Sequence, residues 1–208
     1  MIIDAVAQLG KLIFPKRLWH MPSEEKSIYL SFDDGPIPEV TPWVLEQLAN
    51  YEAKASFFCI GENIKKHPEV FKKIITQGHR VGNHTYNHLN GWKTNNEVYI
   101  ENTEKCENLI KSSSDQKLLF RPPYGKLKAK QAKRIAQSHQ IVMWDILTLD
   151  YKPNICLHKR WDYIKKNTGP GSILVFHDSL KAEKNLKILL PNTLEYFSQA
   201  GYCFKSLP

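Results

Sequence analysis

The stretch Ser27-Ile28-Tyr29-Leu30-Ser31-Phe32-Asp33-Asp34-Gly35-Pro36 decides the fold. Residues 27–32 read as a strand with no polar face, of the kind found where both sides of a sheet are covered. Thr41-Pro42 then supplies an N-cap followed by proline at the first helical position, and a helix is expected to about Asn50. Residues 54–60 form a second, mostly apolar strand. Residues 68–77 read as a helix with Val70, Phe71, Ile74 and Ile75 on one face and Gly78 as its stop.

The same alternation runs on to the C-terminus. A short strand is expected over 79–83, and Thr94-x-x-Glu97 offers a capping box for a helix to about Lys111. Further buried strands are expected at 118–121, 141–144 and 172–177, a last one at 202–205, and helices at 128–138, 157–166 and 191–200. About seven β/α units with near-continuous apolar strands imply an α/β fold with parallel pairing and helices outside. A closed or distorted (β/α) barrel is the first expectation and an open doubly wound sheet the second. Residues 1–22 read as an N-terminal helical extension and 23–208 as a single domain.

Composition narrows the function classes. The 208 residues are 42% hydrophobic and 24% charged, ordinary globular usage with enough chain for a sizeable core. No run of ~18 apolar residues exists, so no membrane-spanning helix is expected. Net charge is +8, but the lysines are dispersed and no nucleic-acid recognition module is found. Cys59, Cys106, Cys156 and Cys203 lack the CxxC spacing of zinc or redox motifs.

The N-terminus lacks a basic region followed by an uninterrupted apolar run, so a cytoplasmic or membrane-peripheral location is expected. A helical reading puts Ile2, Val6, Leu9 and Ile13 on one face, followed by Lys16 and Arg17. That pattern suits a helix capping the domain or one lying on an anionic membrane.

The polar residues converge on one end of the expected strands. Asp33 and Asp34 follow the first, His84 and His88 the third, Arg121 to Gly125 the fourth, Asp145 and Asp150 the fifth, and His177-Asp178 ends the sixth. In barrels that carboxyl-terminal face carries the active site. His84 and His88, at i and i+4, would share a face of a helical turn and one metal ion, with Asp33 and Asp34 as candidates for a third ligand. Arg121 suits a carboxylate partner through its planar fork. His177 suits proton transfer.

Ser31-Phe32-Asp33-Asp34-Gly35, His84-Thr85-Tyr86-Asn87-His88, Arg121-Pro122-Pro123-Tyr124 and Leu174-Val175-Phe176-His177 together resemble the NodB-type polysaccharide deacetylases of carbohydrate esterase family 4. In order they match its (T/S)FDDG, H(S/T)xxH, RxPY and LxxH motifs. The resemblance implies a distorted (β/α) barrel that removes acetyl groups from N-acetylated saccharides with one divalent metal ion, zinc first, then cobalt, manganese or nickel. It implies Asp34, His84 and His88 as metal ligands, Asp33 as general base and Arg121 as its partner. It also implies His177 as general acid oriented by Asp150, the Tyr124 N–H as an oxyanion donor, and substrate contacts from Tyr124, Pro123, Tyr151 and Leu174. One motif departs: where the family often reads DxxDW, this chain has Leu147-Thr148-Leu149-Asp150-Tyr151. Two other readings compete. One is a carbohydrate-binding protein on the same fold. The other is a two-His-one-carboxylate iron enzyme, for which Asp33, Arg121 and His177 have no evident use.

Overall fold

The computed structural model describes residues 9–22, 24–110 and 118–208. In chain order it comprises β1 (Ser27–Asp33), α1 (Thr41–Ala49), β2 (Ala55–Cys59), α2 (Gly61–Lys66), α3 (Pro68–Thr76), β3 (Arg80–Asn83), α4 (Asn96–Ile110) and β4 (Leu118–Phe120). There follow α5 (Ala129–Ile135), β5 (His139–Ile141), β6 (Ile146–Leu147), α6 (Leu157–Asn167), β7 (Ile173–His177), α7 (Glu183–Gln199) and β8 (Cys203–Phe204). The strands lie in the order β5-β4-β3-β2-β1-β7-β6, with β8 beside the start of β1. Every strand pairing is parallel, as the mostly apolar central strands imply. The sheet curls into a distorted barrel with helices outside.

β1 is the axis of the molecule and is buried along its whole length. Successive side chains point to opposite faces. Ile28, Leu30 and Phe32 join Val44, Leu45 and Leu48 of α1 and Leu186, Leu190 and Leu194 of α7 in the main core. Tyr29 lies in the inner cluster with Phe58, Leu119, Val142, Ile173 and Leu207. The same alternation carries Ser31 and Asp33 inward, so Asp33 reaches the barrel mouth because it stands an even number of residues from Tyr29.

Four expectations are corrected. The run 141–144 is not one strand: pairing with β4 ends at Ile141, and a separate strand, β6, starts at Ile146 beside β7. α7 begins at Glu183, and Pro191 sits within it; proline forgoes one backbone donor there, while its turn still buries Leu189, Leu190 and Leu194. α4 is opened by Asn95, whose Oδ1 accepts the Glu97 N–H at 2.9 Å, whereas the Thr94 hydroxyl donates to Asn90 O.

The domain also starts before residue 23. Leu18 bridges Val142 and His20 bridges Ser172, so this segment occupies the gap between β5 and β7. Met21 N donates to Gly171 O at 2.9 Å. A Cβ on Gly171 would meet Met21 O at 1.9 Å, which leaves room only for glycine. Upstream, residues 9–13 are helical; Ile2 and Val6 of the expected apolar face lie outside the described residues.

Candidate active site

The loops after β1, β3, β4 and β6, with the end of β7, build the mouth. Asp33 pairs in register with Phe58 of β2 and His177 of β7, which brings base and acid candidates to neighbouring strand ends. Past Asp33 the chain turns sharply, with Asp34 at φ 82°. Asn63 Nδ2 holds Asp34 O at 2.7 Å. The turn is clasped by Asp178, whose Oδ1 accepts the Gly35 N–H at 3.1 Å and whose Oδ2 accepts the Thr41 hydroxyl at 2.6 Å. A Cβ on Gly35 would stand 2.0 Å from Asp178 Oδ2, so the clasp requires glycine. Burial pushes the Asp178 carboxyl up to about 8.

The histidine pair converges differently from the helical turn its spacing suggested. Residues 84–88 form a loop in which Thr85 and His88 hold φ of 64° and 54°. Asn83 Oδ1 accepts the Thr85 N–H at 2.8 Å, and Asn102 Oδ1 accepts the N–H groups of Tyr86 and Asn87 at 2.8 and 3.0 Å. These bonds offset the cost of left-handed backbone, about 1–3 kcal/mol per residue. Asp34, Thr85, His88, Tyr124 and Leu149, five of the non-glycine residues with positive φ, all lie on mouth loops. Backbone strain of this kind gathers at functional sites.

Asp34, His84 and His88 offer ligand atoms within 4.8 Å of one another. Asp34 Oδ1 is 3.2 Å from His88 Nε2 and 3.7 Å from His84 Nε2. That oxygen is buried without a hydrogen-bond donor, although a carboxylate deprived of water needs a partner. His84 Nδ1 lies 2.8 Å from Arg121 O, which fixes Nδ1 as the protonated nitrogen and leaves the Nε2 lone pair directed to the cluster. Burial, reinforced by His84, lowers His88 to about 4, so its imidazole is neutral at pH 7. One carboxylate and two imidazoles suit a borderline-soft divalent cation.

Arg121 is fully buried in the barrel with its guanidinium 3.9 Å above the Phe58 ring. Its Nη1 donates to Asp33 Oδ1 at 2.7 Å and Ser31 Oγ at 2.8 Å, and Nη2 donates to Met143 O at 3.0 Å. Burial alone would raise the Asp33 carboxyl, but Arg121, with His84 and His177, outweighs it and holds Asp33 below the usual carboxylate range.

Across the mouth, Asp150 accepts from His177 twice, from the backbone N and from Nδ1, both at 2.8 Å. Asn185 fixes the loop by donating to Asp150 O at 2.7 Å and Lys152 O at 2.9 Å. Burial would lower the His177 pKa, yet Asp150, with Asp34 and Asp33 beyond it, raises it to about 9. His177 is therefore an imidazolium at neutral pH. The Tyr151 ring stands edge-on to His177 with centroids 4.8 Å apart. Tyr124, at φ 60°, is exposed and lies 4.7 Å from the His88 ring. Pro123 is buried in the turn that bears Tyr124, and its fixed φ shapes that turn.

Three sequence expectations fail here. Leu174 does not face the substrate: it is 0% exposed and belongs to the core beneath the helices. It stands an odd number of residues from His177, so the strand period turns it to the opposite face. Asp145 is not at the mouth either. It precedes β6 and sits at the floor of the barrel, where it accepts from Ile173 N at 3.0 Å and pairs with His20 and Lys11. Leu147, in place of the family's usual aspartate, is buried with its carbonyl accepting from Arg160. Thr41, expected as the N-cap of α1, is instead its first residue, after Val40, and its hydroxyl donates to Asp178. Sequence reasoning gave no role to Asn102 or Asn185, and it met Ser31 and Asp178 only as neighbours of motif residues.

Comparisons with known proteins show the family and the fold. The polysaccharide deacetylase family model matches residues 20–144. A peptidoglycan-N-acetylglucosamine deacetylase of Bacillus cereus is 36% identical over 160 residues, covering 76% of this chain, which spans 58% of that protein's length. The peptidoglycan-N-acetylmuramic acid deacetylase PdaA of Bacillus subtilis is 30% identical over 98% of this chain and 79% of its own. Among solved structures, a peptidoglycan N-acetylglucosamine deacetylase in complex with 4-naphthalen-1-yl-N-oxidanyl-benzamide superposes with a TM-score of 0.85 at 31% identity, covering 93% of this chain and 91% of that one. With the family model matching more than half of the chain and the mouth carrying its motif residues, this protein belongs to the polysaccharide deacetylase family.

Proposed function

We propose that the protein is a metal-dependent hydrolase that removes N-acetyl groups from an amino-sugar saccharide. The observation that carries this reading is the convergence of Asp34, His84 and His88 ligand atoms within 4.8 Å, beside a separate aspartate, Asp33, held by Arg121. Asp34, His84 and His88 would hold the ion, zinc by its donor set. When bound there, the ion supplies Lewis acidity toward the acetamide carbonyl and the attacking water.

The chain's own groups do the rest. An amide carbonyl is a weak electrophile, and an amine leaves only once protonated, so a base and an acid must act in one site. Asp33, ionised through Arg121, takes a proton from the attacking water. His177, charged at neutral pH, gives its proton to the departing sugar nitrogen, and Asp150 holds the ring through Nδ1 so that Nε2 is the donor. The Tyr124 N–H, on the loop whose side chain meets His88, would donate to the developing oxyanion. The N-terminal segment is assigned a membrane contact: Leu9, Leu12, Ile13 and Phe14 are exposed, and Arg17 lies over the Phe14 ring beside Lys16.

The test is acetate release from a panel of N-acetylated saccharides with and without chelator. Release that stops with chelator and returns with zinc is expected, and chelator-insensitive release overturns the metal role. Asp34→Ala should lose the ion by elemental analysis; full occupancy in that variant removes Asp34 from the ligand set. For the membrane contact, co-sedimentation with anionic liposomes should fall when residues 1–14 are deleted.

A further inference from the structure

The rim of the mouth carries two lysine–aromatic pairs that the chemistry above does not use. On one side Trp92, four residues past His88, is 62% exposed, and Lys126 Nζ stands 5.2 Å from its ring centre. The two loops touch there: a Cβ on Gly91 would meet Lys126 O at 2.4 Å. On the other side Lys181 Nζ stands 5.6 Å from the Tyr151 ring, and that ring packs on His177. Some lysines elsewhere are held by carboxylates, as Lys11 is by Asp145, Lys165 by Asp162, Lys187 by Glu183 and Lys205 by Glu25, and Lys54 and Lys128 donate to backbone carbonyls. Lys126 and Lys181 have neither kind of partner among the described residues and stand at the mouth beside aromatic rings.

An exposed aromatic face beside a catalytic mouth suits the C–H face of a pyranose ring. An ammonium next to that face, with no carboxylate of its own, suits an anionic group on the same saccharide. We propose that Lys126 and Lys181 select an N-acetylated saccharide bearing a carboxylate or phosphate close to the acetamide, with Trp92 and Tyr151 packing on its rings. This specificity rests on the deacetylase reading of the site. Each exposed ammonium contributes on the order of a two- to fivefold preference, screened by salt.

The experiment uses the full chain loaded with zinc and three chitooligosaccharide probes: neutral, carrying a carboxylate ether, and carrying a phosphate ester. The quantity read is the ratio of kcat/KM for an anionic probe to that for the neutral one. A ratio of about five or more at low salt, falling toward one at about 0.5 M salt, is expected. Lys181→Met should reduce the ratio severalfold through KM, and Lys181→Glu should take it below one. Preference for one anionic probe over the other identifies which anion the rim takes. A ratio of one or less in the unmodified protein, or a ratio that neither Lys181→Met nor Lys126→Met moves, overturns the assignment. Calorimetric binding of the same probes to the chelated protein, which needs no turnover, separates the two claims. Anionic preference in binding without any acetate release would sink the deacetylase reading alone, whereas release with no preference in either assay would sink the rim assignment alone.

Discussion

Two aspartate–histidine pairs flank the two-residue strand β6, one at each end of the barrel. Asp145 precedes β6 at the floor and meets His20 at 2.9 Å; Asp150 follows it at the mouth and meets His177 at 2.8 Å. The contacts are alike, and the surroundings are not. Asp145 also pairs with Lys11 and accepts the Ile173 N–H, and the His20 side chain is 45% exposed. Asp150 is fully buried with His177 as its cationic partner, and Asp33 and Asp34 stand beyond that imidazole. The floor pair is a fastening, in which a carboxylate gathers chain segments. The mouth pair is a charged acid, because a desolvated carboxylate and its neighbours hold one proton on one ring. Position relative to the strand end decides which role an Asp–His contact takes.

Removing the ring at each end gives the widest contrast. His177→Ala should lower kcat by roughly 10²–10⁴, the usual worth of a positioned general acid, with the metal retained by elemental analysis. His20→Ala should leave kcat near that of the unmodified protein, and an equal loss at both positions would erase the distinction.

Changing the carboxylate sharpens it. With Asp150→Asn, the alkaline limb of kcat/KM should move from about 9 toward the ordinary histidine value near 6.5. A pH–rate profile reads the shift directly. The sign for stability is set by the same shift. Because folding raises the His177 pKa, its stabilising contribution is complete below about 6.5 and is lost as pH climbs through about 9. The stability gap between the native protein and Asp150→Asn should therefore narrow above pH 9 in urea titrations.

Asp145→Asn should give the smallest catalytic effect of the set. It weakens the fastening of Lys11, His20 and Ile173, at a cost of roughly 1–3 kcal/mol of unfolding free energy read by urea titration. kcat per folded molecule should stay within about twofold. A large kcat loss with unchanged stability would reverse the roles assigned to the two ends.

Much of the mouth was legible in the sequence because several of its groups close apolar runs. Asp33, Arg121 and His177 follow strands whose composition marks them, and His84 follows the short β3, marked by its place in the alternation rather than by composition, so their common end could be read before any coordinates. What was lost had physical reasons. The continuous apolar run 141–144 hid the break between β5 and β6, and with it the fact that Asp145 and Asp150 lie at opposite ends. The i,i+4 spacing of His84 and His88 is shared by helices and by a loop with two left-handed residues; the asparagines that hold that loop are Asn83 next door and Asn102 on α4. Leu174 belongs to a motif by position but faces away from its histidine by strand parity. The Asp178 clasp joins residues more than a hundred positions apart, and no local pattern announces it.

The segment that carries Leu18 and His20 has a consequence for how the chain is handled. Its backbone occupies donors and acceptors that border the gap beside β5. Shortening the chain to residue 23 would uncover those groups as a raw sheet border, a ready template for zipping onto a neighbouring molecule. The leader is in effect a stopper, and its loss should be met as clumping in the tube before it is met as lost turnover.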